Sequence, residues 1–375
     1  MRPPDLPAFE DPARPLVVTS AVAFVAGGPL TIVRQAVAAA HDRHENHLFL
    51  VADVTEWEPS PNVGFVEVPW ARRSYARRLW AEYISFRRWS ARWRPTVWLS
   101  LHDTTPPVHA RVQAVYCQNP LPAWRPTLTD LRLHPKEVLR SLVYGQVYRA
   151  FARRNDIVFA QLEWFARFVG RLMRVPASRL VVAAPDASEG PGEGGTSAIV
   201  PPRRGLECVY VALPRVFKHA EEALALCDAT DVGLTLTFAG TENAYARHVR
   251  SLSGARDVRF VGALSHADAL ATTADADVVL FPSRLETYGL PIREAIDLGA
   301  TLLLPVRPWT VEIAAAYEGA HFYRDVDEGR AMLAALAAGR APEAPRPAAL
   351  PSHLRRVEGF AAIYDLLAAE AASSS

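Results

Sequence analysis

The stretch that decides the fold of this 375-residue chain is Pro282-Ser283-Arg284-Leu285-Glu286-Thr287-Tyr288-Gly289-Leu290-Pro291-Ile292-Arg293-Glu294-Ala295. The apolar run 278–281 before it predicts a buried strand. Gly289 then predicts a turn. Pro291 predicts the start of a helix, where its missing N–H costs nothing, and Gly299 predicts the end of that helix.

In this arrangement, the backbone N–H groups of Tyr288, Gly289 and Leu290 would collect at a helix N-terminus, beyond the carboxyl end of a strand. Such a place suits an anion such as a diphosphate. Glu286 and Glu294 flank it, and carboxylates accept hydrogen bonds from the hydroxyls in which sugars and ribose are rich. The stretch therefore predicts a nucleotide-sugar site. Considered alone, the two glutamates would also fit solvated side chains beside a capped helix.

The rest of the chain alternates between strand and helix signals. The first half predicts strands at 16–20, 47–51, 97–101, 112–117 and 156–160, with a Gly27-Gly28-Pro29 turn and helical tracts at about 30–41, 75–94 and 134–154. The second half predicts strands at 208–212, 235–239, 258–261, 278–281 and 301–304. Alternation of this kind in both halves predicts an α/β protein with two Rossmann-like domains.

The domain boundaries come from composition. A Gly-, Pro- and Ser-rich tract predicts a linker at 186–205 between domains 1–185 and 206–352. Residues 353–375 predict a C-terminal helix that packs back on the first domain.

Bulk properties exclude several classes of protein. The 41 Lys and Arg residues balance 40 Asp and Glu residues, so the overall charge favours no polyanionic partner. Three cysteines without a CxxC pair predict neither a disulfide framework nor a zinc site. No apolar signal core and no run of about 18–20 apolar residues is present. We therefore expect a cytoplasmic protein, with a place on the inner face of the cytoplasmic membrane left open.

The stretch 282–295 resembles the acid, seven-residue spacer, acid motif of retaining glycosyltransferase family four. The Pro-Ser before the first acid and the aromatic-Gly-Leu-Pro core carry the resemblance, although Tyr288 stands where Phe is common. The resemblance implies the GT-B fold, with two Rossmann-like domains facing across a cleft. It also implies that Glu286 is a catalytic residue beside the donor sugar and that Glu294 binds the nucleotide ribose.

Other segments fit the same family. Arg215 and Lys218 resemble its basic pair, which would neutralise the donor diphosphate as it leaves, although two cations on a loop could equally be solvated. The glycines resemble those of its N-terminal glycine loop and of the strand ends in its nucleotide domain, with plain turns as the alternative. These glycines are Gly27, Gly28, Gly240 and Gly262.

Two segments of the first half look like those of bacterial surface-polysaccharide, O-antigen or lipopolysaccharide glycosyltransferases. His102 and Asp103 follow one strand, and we expect them to face the cleft in a catalytic or acceptor-binding role. A structural role is the alternative. Gln118 follows the next strand at a position where relatives have His, so it does not predict an acid–base group.

Two arginine-rich tracts remain. Residues 70–94 contain eight arginines with four interleaved tryptophans, and 134–154 is also basic. Basic helices rich in Trp can bind an anionic bilayer or a lipid diphosphate. A solvated helix face with its aromatics in the core is the alternative, and nucleic acid is disfavoured.

The sequence therefore predicts a retaining hexosyltransferase that uses a nucleotide sugar, with no further cofactor and no metal, because Arg215, Lys218 and the helix N-terminus supply the positive potential. Family resemblance favours a GDP-sugar over UDP, dTDP or ADP sugars, and a glycan or lipid-linked oligosaccharide of a surface polysaccharide as acceptor. An epimerase or hydrolase on the same fold, or a non-catalytic binding protein, are the rivals.

Overall fold

Two α/β units make up the chain. In the computed structural model the described residues are 3–24, 27–186, 205–228, 232–254, 256–342, 345–348 and 352–373. Unit 1 comprises Met1–Asn119, Val143–Ala187 and Ser352–Ser375, and unit 2 comprises Pro120–Leu142 and Ser188–Pro351.

The strands alternate with helices along most of the chain. The strands are β1 (Leu16–Ser20), β2 (Asn46–Val51), β3 (Val63–Glu67), β4 (Val97–Ser100), β5 (Val112–Cys117), β6 (Ile157–Ala160), β7 (Leu180–Ala184), β8 (Leu206–Tyr210), β9 (Val232–Leu236), β10 (Val258–Phe260), β11 (Val278–Leu280), β12 (Leu302–Pro305), β13 (Ala320–Tyr323) and β14 (Arg355–Glu358). The helices are α1 (Gly27–His41), α2 (Tyr75–Trp80), α3 (Phe86–Trp93), α4 (Leu128–Leu133), α5 (Pro135–Arg149), α6 (Glu163–Met173), α7 (Ala220–Leu226), α8 (Ala244–Ser253), α9 (His266–Ala274), α10 (Leu290–Asp297), α11 (Pro308–Ala314), α12 (Val326–Ala337) and α13 (Gly359–Ser373).

Each unit is built around one parallel sheet. Unit 1 has the strand order β14-β7-β6-β5-β4-β1-β2-β3, and unit 2 has the order β10-β9-β8-β11-β12-β13. Central strands such as β2 and β5 are buried at every position, as expected where helices cover both faces of a parallel sheet. The prediction of an α/β protein with two Rossmann-like units is confirmed.

Four strands were missing from the sequence prediction: β3, β7, β13 and β14. The last is the most instructive, because Arg355–Glu358 was predicted to lie at the start of a helix. It is an edge strand that pairs in parallel with β7. Three of its four residues are exposed, so its Arg-Arg-Val-Glu sequence shows no apolar pattern, and only the backbone ladder makes it a strand.

Each unit is made of separate stretches of the chain. Residues 120–142 belong to unit 2, although they precede β6 in the chain and were predicted to lie in the first domain. Helix α13 packs on α1 and on strands of unit 1, with Phe360, Ile363 and Tyr364 in the same hydrophobic core as Val17 and Phe49. The predicted linker lies almost wholly outside the described residues.

The first arginine-rich tract folds into α2 and α3, which are joined by a turn of π-helix at Ala81–Ser85. Phe86, Trp89 and Trp93 are buried, whereas Trp80 is 56% exposed. The predicted alternative, with aromatics in the core, therefore holds for α3 but not for the exposed end of α2. Among the described residues, no helix is long and apolar enough to cross a membrane.

Candidate functional site

The candidate site in unit 2 begins where β11 ends. Ser283 is fully buried, and its hydroxyl donates to the carbonyls of Phe217 and Leu285, which fixes the loop that follows the strand. Gly289 has a φ of +72°, and α10 starts at the next residue. Gly299 has a φ of +71° two residues after the end of the helix. The strand, turn, helix and stop predicted from the sequence are all present.

Glu286 forms an ion pair with Lys218. The Lys218 Nζ lies 2.7 Å from Oε2 of Glu286, and the two side chains are only 17% and 16% exposed. The backbone N–H of Thr287 also donates to the carboxylate at 3.0 Å, and the nearby N–H of Gly289 favours its charged form. Burial alone would raise the pKa of Glu286, but the Lys218 ammonium and these N–H groups outweigh it and hold the pKa below its ordinary value.

The geometry of Glu286 changes one part of the prediction. The N–H of Gly289 was expected to hold a phosphate, and in this structure it also lies near the Glu286 carboxylate and favours its charged form. A helix N-terminus favours a nearby anion, and here that anion is the Glu286 carboxylate.

The two predicted cations occupy different environments. Lys218 ends a short 3₁₀ turn, Val216–Lys218. Its ammonium also lies 4.9 Å from the centroid of the Phe281 ring. Arg215 is exposed, with its guanidinium 5.9 Å from the centroid of the Phe217 ring. Lys218 is therefore held in place, whereas Arg215 is open to solvent.

Glu294 lies on α10, with a side chain that is 14% exposed. Its Oε1 is 2.8 Å from Nε2 of His266, the first residue of α9. His266 was not singled out by sequence analysis. The His266 imidazole therefore orients the Glu294 carboxylate, which was predicted to bind ribose.

Gly262 lies four residues before His266. It has a φ of +86° and open space around its α-carbon.

Tyr288 and Leu290 border the same turn. The guanidinium of Arg293 stacks 4.4 Å from the centroid of the Tyr288 ring, and its Nε donates to the Tyr288 carbonyl. Leu290 is 36% exposed. Gly240, after β9, has a φ of +77°, so only a residue without a side chain fits there at little cost.

The glycines predicted for the first half lie in unit 1. Gly27 and Gly28 are the first two residues of α1, not a turn that precedes it. Pro29 then falls in the first turn of that helix, where a proline is tolerated. A side chain at Gly28 would meet nothing within 4 Å. Val25 and Ala26, the start of the predicted glycine loop, lie outside the described residues.

Asp103 of unit 1 is buried and fully engaged. Its Oδ1 accepts from the backbone N–H of Gln118 at 2.6 Å and of Asn119 at 3.0 Å, and from the Tyr148 hydroxyl at 2.8 Å. Tyr144 donates to Oδ2 at 3.5 Å. Its φ is +65°, a conformation that Asp tolerates better than most residues. Asp103 thus joins the end of β5 to the second half of α5, instead of presenting an open carboxylate.

His102 is fully buried, and neither ring nitrogen has a hydrogen-bond partner among the described residues. Burial, and then the nearby Arg78 charge, lowers the pKa of His102 well below its ordinary value, so the ring is neutral. Its ring packs edge-on against Phe24 at 4.6 Å. The structure therefore leaves His102 as the one of the predicted pair with unused hydrogen-bonding capacity.

Three solved structures resemble the chain over most of both lengths. Sucrose-phosphate synthase from Thermosynechococcus elongatus has 16% identity and a TM-score of 0.61, covering 86% of this chain and 90% of that one. WaaG, a glycosyltransferase involved in lipopolysaccharide biosynthesis, has 12% identity and a TM-score of 0.56, covering 84% and 88%. A UDP-forming α,α-trehalose-phosphate synthase from Burkholderia vietnamiensis has 13% identity and a TM-score of 0.53, covering 96% of each chain.

The fold is GT-B. The similarity to these glycosyltransferases extends through both Rossmann-like units, which confirms the fold class predicted from 282–295. No protein-family model matches the chain, and no curated protein matches it in sequence. At identities this low the likeness is one of fold, and the activity has to be argued from the residues of the site.

Proposed function

We propose that this chain is a retaining glycosyltransferase that moves a hexose or deoxyhexose from a nucleoside-diphosphate sugar to a glycan acceptor. The observation that carries the proposal is the Lys218–Glu286 pair at the N-terminus of α10, with Glu294 on the same helix. The cation Lys218 comes from the loop after β8, and the N–H groups and two carboxylates come from the loop and helix after β11. Together they match the phosphate and the hydroxyls of such a donor.

The parts of the site have separate roles in this proposal. Lys218 and Arg215 neutralise the diphosphate, and Glu294 accepts hydrogen bonds from ribose. Glu286 exchanges its Lys218 contact for hydroxyls of the donor sugar when Lys218 turns to the phosphate. Positive charge at the diphosphate matters most in the transition state, because negative charge develops there as the leaving group departs.

In the reaction, the bond between the anomeric carbon and the phosphate oxygen breaks as a bond to the acceptor oxygen forms on the same face. The acceptor proton passes to the leaving diphosphate, so no other base is required. A GDP-sugar is the donor that we propose first, and UDP, dTDP and ADP sugars are the alternatives to be screened. The acceptor that we propose is a lipid-linked oligosaccharide of a surface polysaccharide.

The experiment is a thermal-shift screen of the full chain with UDP, GDP, ADP and dTDP, followed by transfer assays with the corresponding sugars. A bound nucleotide at ~100 times its Kd stabilises the protein by about 2.7 kcal/mol, which gives a clear rise in Tm. Glu294→Ala should weaken nucleotide binding, and Glu286→Gln should mainly lower kcat. Anomeric configuration in the product is read by NMR.

Two outcomes would contradict the proposal. Donor turnover that yields only free or isomerised sugar, with every acceptor tested, would favour the hydrolase or epimerase alternative. Unchanged binding and turnover in Glu294→Ala would show that the site has been assigned to the wrong residues.

A further inference from the structure

The segment 120–142 leaves unit 1 after Asn119, returns to it at Val143, and belongs to unit 2 in between. Its helix α4 starts with a capping box. The Thr127 N–H donates to Oδ2 of Asp130 at 2.7 Å, and the Asp130 N–H donates to the Thr127 hydroxyl at 3.2 Å. The cap fixes the direction of the Asp130 carboxylate.

The same carboxylate binds the loop that carries Glu286. NH1 of Arg284 lies 3.4 Å from Oδ2 of Asp130, and these side chains are 27% and 7% exposed. Two edge-to-face ring contacts seat the segment on unit 2: Trp124 with Phe217, and His134 with Tyr245. Phe217 belongs to the turn Val216–Lys218, and Tyr245 belongs to α8.

Arg284 also forms hydrogen bonds with the turn that contains Lys218. Its NH2 lies 2.6 Å from Nε2 of His219, and its backbone N–H donates to the Phe217 carbonyl at 2.8 Å. Since a guanidinium can only donate, Nε2 accepts and the His219 proton sits on Nδ1. That nitrogen is 2.7 Å from Oε2 of Glu222. His219 directly follows Lys218 and has a φ of +53°.

We propose that Asp130 and Arg284 are positioning residues for the donor site, an inference that rests on the proposed function. Lys218 and Glu286 lie on two different loops. The 2.7 Å distance between Lys218 Nζ and Glu286 Oε2 requires those loops to keep a fixed relative position. Arg284 bridges the loops, and Asp130 holds the guanidinium in the bridging geometry. A segment that lies between β5 and β6 in the chain thus sets the shape of the diphosphate site without touching the donor.

The test uses the full chain and isothermal titration with GDP and UDP. In Asp130→Asn the amide oxygen can still accept from the Thr127 N–H, so the cap survives while the charge is lost. We expect Kd for the nucleotide to rise by roughly tenfold, as for loss of a contact that orients a ligand-binding group. Arg284→Lys should do the same, because a lysine cannot bridge two partners in a fixed fork.

Asp325→Asn is the matched control. Asp325 caps α12 by accepting from the Glu328 N–H at 2.9 Å, so it tests an Asp-to-Asn change at a helix start elsewhere in unit 2. Its Kd and Tm should match those of the unaltered chain. Lys218→Gln provides the reference for loss of a direct phosphate contact.

The two proposals fail in different ways. If Lys218→Gln loses nucleotide while Asp130→Asn binds with unaltered Kd, the positioning role is overturned and the proposed function stands. If the unaltered chain binds no nucleotide, the function fails, and ¹⁵N NMR of the His219 ring still tests the network. Asp130→Asn and Arg284→Lys should both change the His219 nitrogen shifts, and unchanged shifts would overturn the connection.

Discussion

At the residue scale, Asp103 shows how burial changes the meaning of a motif. The His102-Asp103 pair at the end of β4 was predicted to act on an acceptor. In the structure Asp103 accepts four hydrogen bonds, two from the backbone after β5 and two from tyrosines of α5. We therefore interpret it as a structural anchor. His102 is fully buried with both ring nitrogens unpaired, and its role at the acceptor stays a prediction.

The first prediction concerns two substitutions of Asp103. Asp103→Ala leaves several buried donors unpaired and places alanine at positive φ, so it should lower the free energy of unfolding by ~3 kcal/mol. Asp103→Asn keeps the acceptor oxygen and tolerates the left-handed backbone, and should cost less than ~1 kcal/mol. Urea unfolding measures both. Loss of glycosyl transfer in a stable Asp103→Asn would contradict the structural interpretation and restore an acid–base role.

A second prediction is that stability depends on pH through Asp103, and it compares the unaltered chain with Asp103→Asn. Burial raises the pKa of Asp103 above its ordinary value of 3.8, although hydrogen bonds from Gln118, Tyr148 and Asn119 oppose the rise. The folded state therefore binds this proton more tightly than the unfolded state. Stability should fall as pH rises from the ordinary value through the raised one, and then level off. Asp103→Asn should lack that slope when unfolding is compared across this range.

At the element scale, the turn into α10 depends on a missing side chain. A β-carbon on Gly289 would overlap Cδ1 of Ile313, and the φ of +72° is itself unfavourable for other residues. The N–H of this residue also favours the charged form of the nearby Glu286 carboxylate. The same residue therefore starts the helix and affects the charge of Glu286.

We predict that Gly289→Ala lowers stability by ~1–2 kcal/mol, from backbone strain and from displacement of the Ile313 δ-methyl, and also weakens nucleotide binding. Gly299→Ala is the control, since Gly299 has nearly the same φ and open space around it. It should show only the backbone cost of ~1 kcal/mol, without a change in Kd. Thermal unfolding and titration of both variants, and of Gly289→Ala combined with Ile313→Ala, would separate strain from steric overlap. Equal losses in the two single variants would refute the steric part.

At the scale of the whole molecule, segment 120–142 has two distinct faces. One face contacts the rest of unit 2 through Trp124, Asp130 and His134. Four leucines, by contrast, are between 46% and 82% exposed: Leu128, Leu131, Leu139 and Leu142. Exposed Arg132, Lys136 and Arg140 lie among them. Leucines bordered by cations are typical of a surface that binds anionic lipid. We propose that this segment, which overlaps the basic tract 134–154, binds an anionic bilayer.

We predict that the chain floats with liposomes that contain phosphatidylglycerol and not with purely zwitterionic ones. Leu139→Ser combined with Leu142→Ser should abolish flotation while Tm stays nearly constant, because exposed side chains contribute little to folding. Leu252→Ser, an exposed leucine on α8, is the control. Flotation that is unchanged in the double variant would exclude this face, and flotation that is absent in the unaltered chain would exclude membrane binding.

Local sequence determined the class of fold and the core of the candidate site. Apolar strands, the Gly289 turn, the Pro291 start and the Gly299 stop are short-range signals, and they determine the positions of Glu286 and Glu294.

Only the tertiary structure decided which side chains these residues contact. Lys218 lies 68 residues from Glu286, and Asp130 lies 154 residues from Arg284. The edge strand β14 and the membership of 120–142 in unit 2 also arise from pairing with distant backbone and side chains. A local pattern of hydrophobicity does not predict such contacts, because their free energy comes from groups that only folding brings together.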